Sequence, residues 1–138
     1  MPRLAGMGEA EVARLHEIYA DWTRGDYSRT DLLHPDFQLE FAEDFLDDGV
    51  FKGIEEVARG WGQWSSEWAS WRTTPGRFID LGDRLLVLIR VDGVAKASGM
   101  ELSQASANLW EFRDGLPSRL VIYAQEAQAL RDHGIESA

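Results

Sequence analysis

The sequence predicts an α+β domain in which helices cover one face of a largely antiparallel sheet. Two patterns carry that expectation. Apolar residues recur at helical spacing in the first part of the chain, and strand-like alternation broken by Gly-containing turns fills the second half. With 138 residues the chain has the length of one domain, read here as spanning 1–138 with a flexible N-terminus over 1–8.

From Glu9 to Arg24, Val12, Leu15, Ile18, Tyr19 and Trp22 share one helical face, with Glu11, Arg14, Glu17 and Asp21 opposite. Gly25 supplies the C-terminal stop. Ser28 with Asp31 three residues on has the form of a capping box for a second short helix, which must end by His34-Pro35 because a residue before proline is pushed out of the helical region. Phe37, Leu39 and Phe41 alternate with Gln38 and Glu40 as a half-buried strand, and Asp48-Gly49 predicts a turn into the short strand Val50-Phe51-Lys52.

A third helix is expected from Ile54 to about Trp71, weakened at Gly60 and Gly62; Trp61, Trp64, Trp68 and Trp71 would then share one face. Strands follow over 77–81, 84–96, 100–113 and 117–124, with turns at Gly82-Asp83 and Asp114-Gly115, and a last helix runs from Glu126 to His133. The tip of the longest hairpin falls either at Asp92-Gly93 or near Ala97-Ser98-Gly99. The second leaves strands of similar length and is favoured, with Gly93 as a bulge.

Composition removes several classes of function. There is no cysteine, hence no disulfide, thiolate metal site or cysteine nucleophile. A formal charge of -10 with scattered basic residues argues against nucleic acid, and solubility is its simplest meaning. No run approaches the roughly 18 apolar residues of a membrane span, and the N-terminus lacks the apolar core of a secretory signal, so a cytoplasmic location is expected. No histidine pair has metal-ligand spacing, the acidic stretch Glu43, Asp44, Asp47, Asp48 lacks the alternation of a calcium loop, and no phosphate-cradling or nucleophile-elbow motif occurs; neither cofactor nor metal is expected.

Four segments, YADWTRGDYSRTDLLHPDFQLEF at 19–41, VFKGIEEVARGW at 50–61, FIDLGDRLLVLIR at 78–90 and NLWEFRDGLPSRLVIYAQEAQAL at 108–130, resemble the nuclear transport factor 2-like superfamily, and within it the SnoaL-like (polyketide cyclase-like) proteins of bacteria. The resemblance implies a cystatin-like, cone-shaped curved mixed sheet with N-terminal helices over its concave face. It implies no single reaction, since the superfamily holds isomerases, cyclases, hydrolases and non-catalytic binders. Against its ketosteroid isomerases, Phe41 occupies the place of the general-base carboxylate. Asn108 stands where a protonated aspartate serves the oxyanion, and Ile18, beside Tyr19, takes the other donor position. Against its epoxide hydrolases, which use carboxylates and an arginine, Arg90 alone is insufficient.

The weak catalytic candidates are therefore Asn108, Tyr19, His34 and Arg90. His34 is a candidate because an unperturbed imidazole has its pKa near neutrality, but HPD lies at a turn where His34 or Asp36 can simply bond the backbone. Were strands 84–96 and 100–113 to pair about Ala97, Arg90 would face Gln104, Leu88 would face Ser106 and Leu86 would face Asn108, all on one face; a slip of one residue would turn that cluster outward. The six tryptophans supply either core or a pocket wall. The pocket reading lines it with Tyr19, Trp22, Phe37, Phe41, Trp64, Trp68, Trp110 and Tyr123, with Asn108 as polar handle. Val87, Ile89, Val91, Ala105, Ala107 and Leu109 would then form an opposite face too apolar for water, so a homodimer through the sheet is expected. Two functions follow: a pocket for a small, largely apolar metabolite, with or without proton-transfer or water-mediated chemistry, or a non-catalytic interaction module using the sheet face.

Overall fold

The computed structural model describes residues 8–42 and 50–135. The expected turn at Asp48-Gly49, the acidic stretch and positions 1–7 of the expected flexible N-terminus lie outside the described residues. Three helices and six strands form an α+β fold: α1 (Glu9–Thr23), β1 (Gln38–Phe41), β2 (Val50–Lys52), α2 (Ile54–Ser65), β3 (Trp68–Asp80), β4 (Arg84–Ala95), β5 (Glu101–Arg113), β6 (Leu116–Tyr123) and α3 (Glu126–Asp132). The strands make one mixed sheet in the order β2-β1-β6-β5-β4-β3, with β1 parallel to β6 and every other pair antiparallel.

The first helix follows its sequence pattern, burying Leu15, Ile18 and Tyr19. At its start the Gly8 N–H donates to Glu11 Oε1 at 2.8 Å, and Gly25 takes φ 82° just beyond its end. The second expected helix does not form. Ser28 spends both its backbone N–H (3.0 Å) and its hydroxyl (2.6 Å) on Asp26 Oδ1, so the local polar residues stabilise a turn instead of capping a helix. Nor does the next helix reach Trp71: it stops at Ser65, and Trp68 begins β3. The competing force is pairing with β4, which holds β3 from Trp68↔Ala95 to Asp80↔Leu85. A bulge between Trp68 and Ser70 restores the two indoles to one face, at a ring separation of 4.7 Å. Gly60, a cost to the helix in isolation, is where α2 crosses β2: a Cβ there would lie 2.6 Å from the Phe51 ring.

The β4–β5 hairpin turns through 96–99, with Ala95 N–H on Met100 O at 2.9 Å and Gly99 at φ 71°. Gly93 is not a bulge. It pairs in register with Trp71 on one side and Leu102 on the other, while the irregularities fall in β3. Its missing Cβ makes room for tryptophan, since an added carbon would sit 2.5 Å from Trp71 Cε3.

The register differs from the expected one by a single residue. Arg90 pairs with Ala105, Leu88 with Ala107 and Leu86 with Leu109, whereas Val87, Ile89 and Val91 pair with Asn108, Ser106 and Gln104. The expected cluster is therefore split. Val87, Ile89 and Val91 join the core beneath α1 on the inner face, and not the outer face first assigned to them. The outer face carries Leu86, Ala107, Leu109, Val121 and Tyr123, packed with Ala129 and Leu130 of α3. That helix covers part of the apolar surface on which the homodimer was expected, burying Ala107 and Leu109 while Ala105 stays exposed.

Candidate ligand-binding cavity

A cavity of about 480 Å³ lies between the inner face of the sheet and the helices. Its floor alternates as strands must, presenting Leu39 and Phe41 of β1, Leu120 and Ile122 of β6, Ser106 and Asn108 of β5, and Ile89 and Val91 of β4. Its roof is Ile54, Val57 and Trp61, spaced three and four apart on one side of α2, which the Gly53 N–H ties to Phe37 O at 2.8 Å. Trp22 from the end of α1, Tyr27 from the following loop, and Trp68 and Trp71 of β3 complete an aromatic wall.

The few polar groups are mostly committed to the protein. Ser106 Oγ–H donates to Ala124 O at 2.8 Å, and the Gln104 amide donates to the same carbonyl. Tyr27 O–H donates to Trp71 O at 3.1 Å and lies 3.0 Å from Thr73 Oγ1; burial pushes its pKa up to about 12. Deeper, Tyr19 oxygen lies 2.8 Å from both Trp110 Nε1 and the Asn108 amide. Trp110 can only donate. With Nδ2 of Asn108 toward it, the phenol receives a second donor and its own proton has no acceptor, while Oδ1 is buried without a partner. Reversing the amide exchanges Nδ2 and Oδ1 in place and lets Tyr19 donate to Oδ1, leaving the two amide N–H groups unpaired. Burial raises the Tyr19 pKa well above the ordinary tyrosine value, so that proton stays in place.

Of the residues singled out from sequence, Trp22, Phe37, Phe41, Trp68 and Asn108 line the cavity. Trp64 lies on α2, and its side chain is outside the described residues. Tyr19 and Trp110 are fully buried behind the lining, where Tyr19 supports Asn108. Tyr123 is on the outer face, its hydroxyl 3.4 Å from His133 Nε2, because β6 turns alternate residues to opposite sides. Arg90 points outward too, donating to Ser103 Oγ at 3.1 Å. His34 sits at its turn away from the cavity: Nδ1 accepts the Asp36 N–H at 3.0 Å, and Arg113 lies against the ring. There it braces the connection from α1 to β1.

Sequence reasoning overlooked Tyr27, Trp61 and Trp71 as lining. Tyr27 had no periodic neighbours to mark it, and Trp71 was assigned to the wrong element. Among the described residues no group of three or more His, Asp or Glu is placed to hold a metal ion, and no helix is long and apolar enough to cross a membrane.

Three helices on a six-stranded mixed sheet in this order define a protein of the nuclear transport factor 2-like fold. A family model for the SnoaL-like domain matches residues 15–120, and the chain belongs to that family. None of the curated proteins matches it. Solved structures show the same fold at low identity. A nuclear transport factor 2-like protein of unknown function from Burkholderia pseudomallei is 21% identical, with a TM-score of 0.74 over 90% of this chain and 97% of the other. A protein assigned as a SnoaL-like polyketide cyclase from Jannaschia sp. is 13% identical, with a TM-score of 0.73 over 96% and 95%. A ketosteroid isomerase-like protein from Catenulispora acidiphila, solved in complex with trimethylamine, is 14% identical, with a TM-score of 0.67 over 89% and 93%.

Proposed function

We propose that the chain binds a small, largely apolar molecule in the cavity of its helix-covered face, with Asn108 as the single polar anchor. The observation that carries this reading is the cavity itself, an aromatic and aliphatic chamber of about 480 Å³, within the usual range of small-molecule sites of roughly 300–1,000 Å³. Well-packed interiors hold few voids larger than a water molecule, so a space of this size calls for an occupant.

The described lining offers no side-chain carboxylate, histidine or lysine to act as general base, which favours binding over proton-transfer or water-mediated chemistry. Phe41 in place of a general base removes steroid-type isomerisation. The interaction module has less apolar outer face to use, since α3 already packs on Leu86, Ala107, Leu109 and Val121.

Native mass spectrometry of the purified protein tests the reading. A defined mass retained on the wild type and lost on Trp61→Ala would support it. A bare wild type that also fails to quench its tryptophan fluorescence with any panel of apolar metabolites would sink it. The same spectrum reports the oligomeric state.

A further inference from the structure

We propose that the occupant of the cavity is a cation: an amphipathic molecule whose tertiary or quaternary ammonium lies against Trp22, Tyr27, Trp61, Trp68 and Trp71 while its hydrocarbon body rests on the sheet. This rests on the pocket reading above and adds the charge of the ligand.

Three observations point the same way. First, of the seven aromatic side chains that line this cavity, five come from α1, the loop after it, α2 and β3. Tyr27 is the link between them, with ring centroids 5.4 Å from Trp22 and 5.0 Å from Trp61, and Trp68 and Trp71 are paired at 4.7 Å. Gly93 is kept free of a side chain beneath that last pair. Aromatic faces are negative, and a cation against them gains electrostatic energy that a neutral group of equal shape does not.

Second, two hydroxyls of the wall spend their protons on backbone carbonyls. Ser106 donates to Ala124 O and Tyr27 to Trp71 O, so neither proton is left for a ligand. Such a wall suits a positive ligand better than an anionic one.

Third, the rim is acidic. Arg29 is the one cationic side chain among the described lining residues, and three carboxylates surround it: Glu17 at 3.1 Å, Asp21 at 3.2 Å and Asp31 at 3.8 Å. Asp21 also holds Arg24. With Asp26 on the same loop, this edge carries four acids against two arginines, a field that attracts cations to the opening.

The test uses a pair of ligands that differ in charge and little else. Benzyltrimethylammonium and its carbon isostere neopentylbenzene are titrated into the intact protein at low salt, with tryptophan fluorescence and calorimetry as readouts. The ammonium is expected to bind at least about fivefold more tightly. Trp61→Leu, which keeps an apolar wall and loses a ring, should weaken the ammonium severalfold and leave the isostere unchanged, with thermal unfolding checking that the variant is folded. If the isostere binds as well as the ammonium, or if Trp61→Leu weakens both equally, the cation proposal falls while the pocket reading stands. If neither compound binds at millimolar concentration, both fall.

Discussion

The two faces of the sheet are built from the same strands by the same alternation, yet one is filled and the other hollow. On the outer face Leu86, Ala107, Leu109 and Val121 meet Ala129 and Leu130 of α3, a short helix lying directly on the strands. Arg119, between Glu111 and Glu40, closes the margin with cross-strand ion pairs. On the inner face α1 seals one end through Leu15, Ile18 and Tyr19 against Trp110, but α2 stands off the sheet and leaves the cavity between. The lesson is that cover, and not strand composition, decides whether an apolar face becomes core or site.

Two residues of β4, one on each face, put the comparison to the hardest test. Leu86 is fully buried in the filled face, and its replacement by alanine should cost about 4 kcal/mol in urea unfolding. Ile89, 5% exposed, borders the cavity, so Ile89→Ala should cost about 2 kcal/mol because part of its surroundings is already empty. Equal losses would mean that the inner face is as closely packed as the outer.

A smaller effect is expected at the polar centre of the inner face. Tyr19→Phe leaves Trp110 Nε1 and the Asn108 amide without their shared partner, at a cost of about 1–3 kcal/mol. A loss near zero in chemical denaturation would show that Asn108 is held by packing alone.

The faces should also titrate at opposite ends of the pH scale. Tyr27 is raised to about 12 by burial, so its folded state holds a proton that the unfolded chain releases near the ordinary tyrosine value of about 10. Its contribution is complete below about pH 10 and is lost as pH rises through about 12; Tyr27→Phe should flatten that alkaline decline. On the outer face, burial and the nearby Arg84 lower the pKa of His133, against the pull of Asp132. Its contribution is present above about pH 6.5 and lost as pH falls toward the lower folded value. His133→Gln should remove this acid limb, the smallest effect of the set since the ring is only half-buried.

Much of the architecture was legible because it is local. The helix at 9–23, the alternation at 38–41, the Asp114-Gly115 turn with both residues at positive φ, and the final helix each follow from periodicity or turn chemistry within a few residues. The cavity was legible in kind but not in membership. Trp22, Phe37, Phe41, Trp68 and Asn108 were picked out as lining, whereas Tyr123 and Arg90 fell on the other face, and Tyr27, Trp61 and Trp71 were overlooked.

Those errors share a cause. In a strand, side-chain direction alternates at every residue, so one unit of register between β4 and β5 separates Arg90 from Gln104, Ser106 and Asn108. The composition of each strand is the same in either register. Likewise, Trp61, Trp64, Trp68 and Trp71 satisfy a helical spacing, and only β4, more than twenty residues away, draws the last two into a sheet. The sequence by itself determined the fold class, the elements that local spacing encodes and the apolar, acidic character of the molecule. Tertiary structure decided where α2 ends, which way the β4–β5 side chains point and which face stays hollow, because each of these depends on pairing energies between segments that no local pattern records.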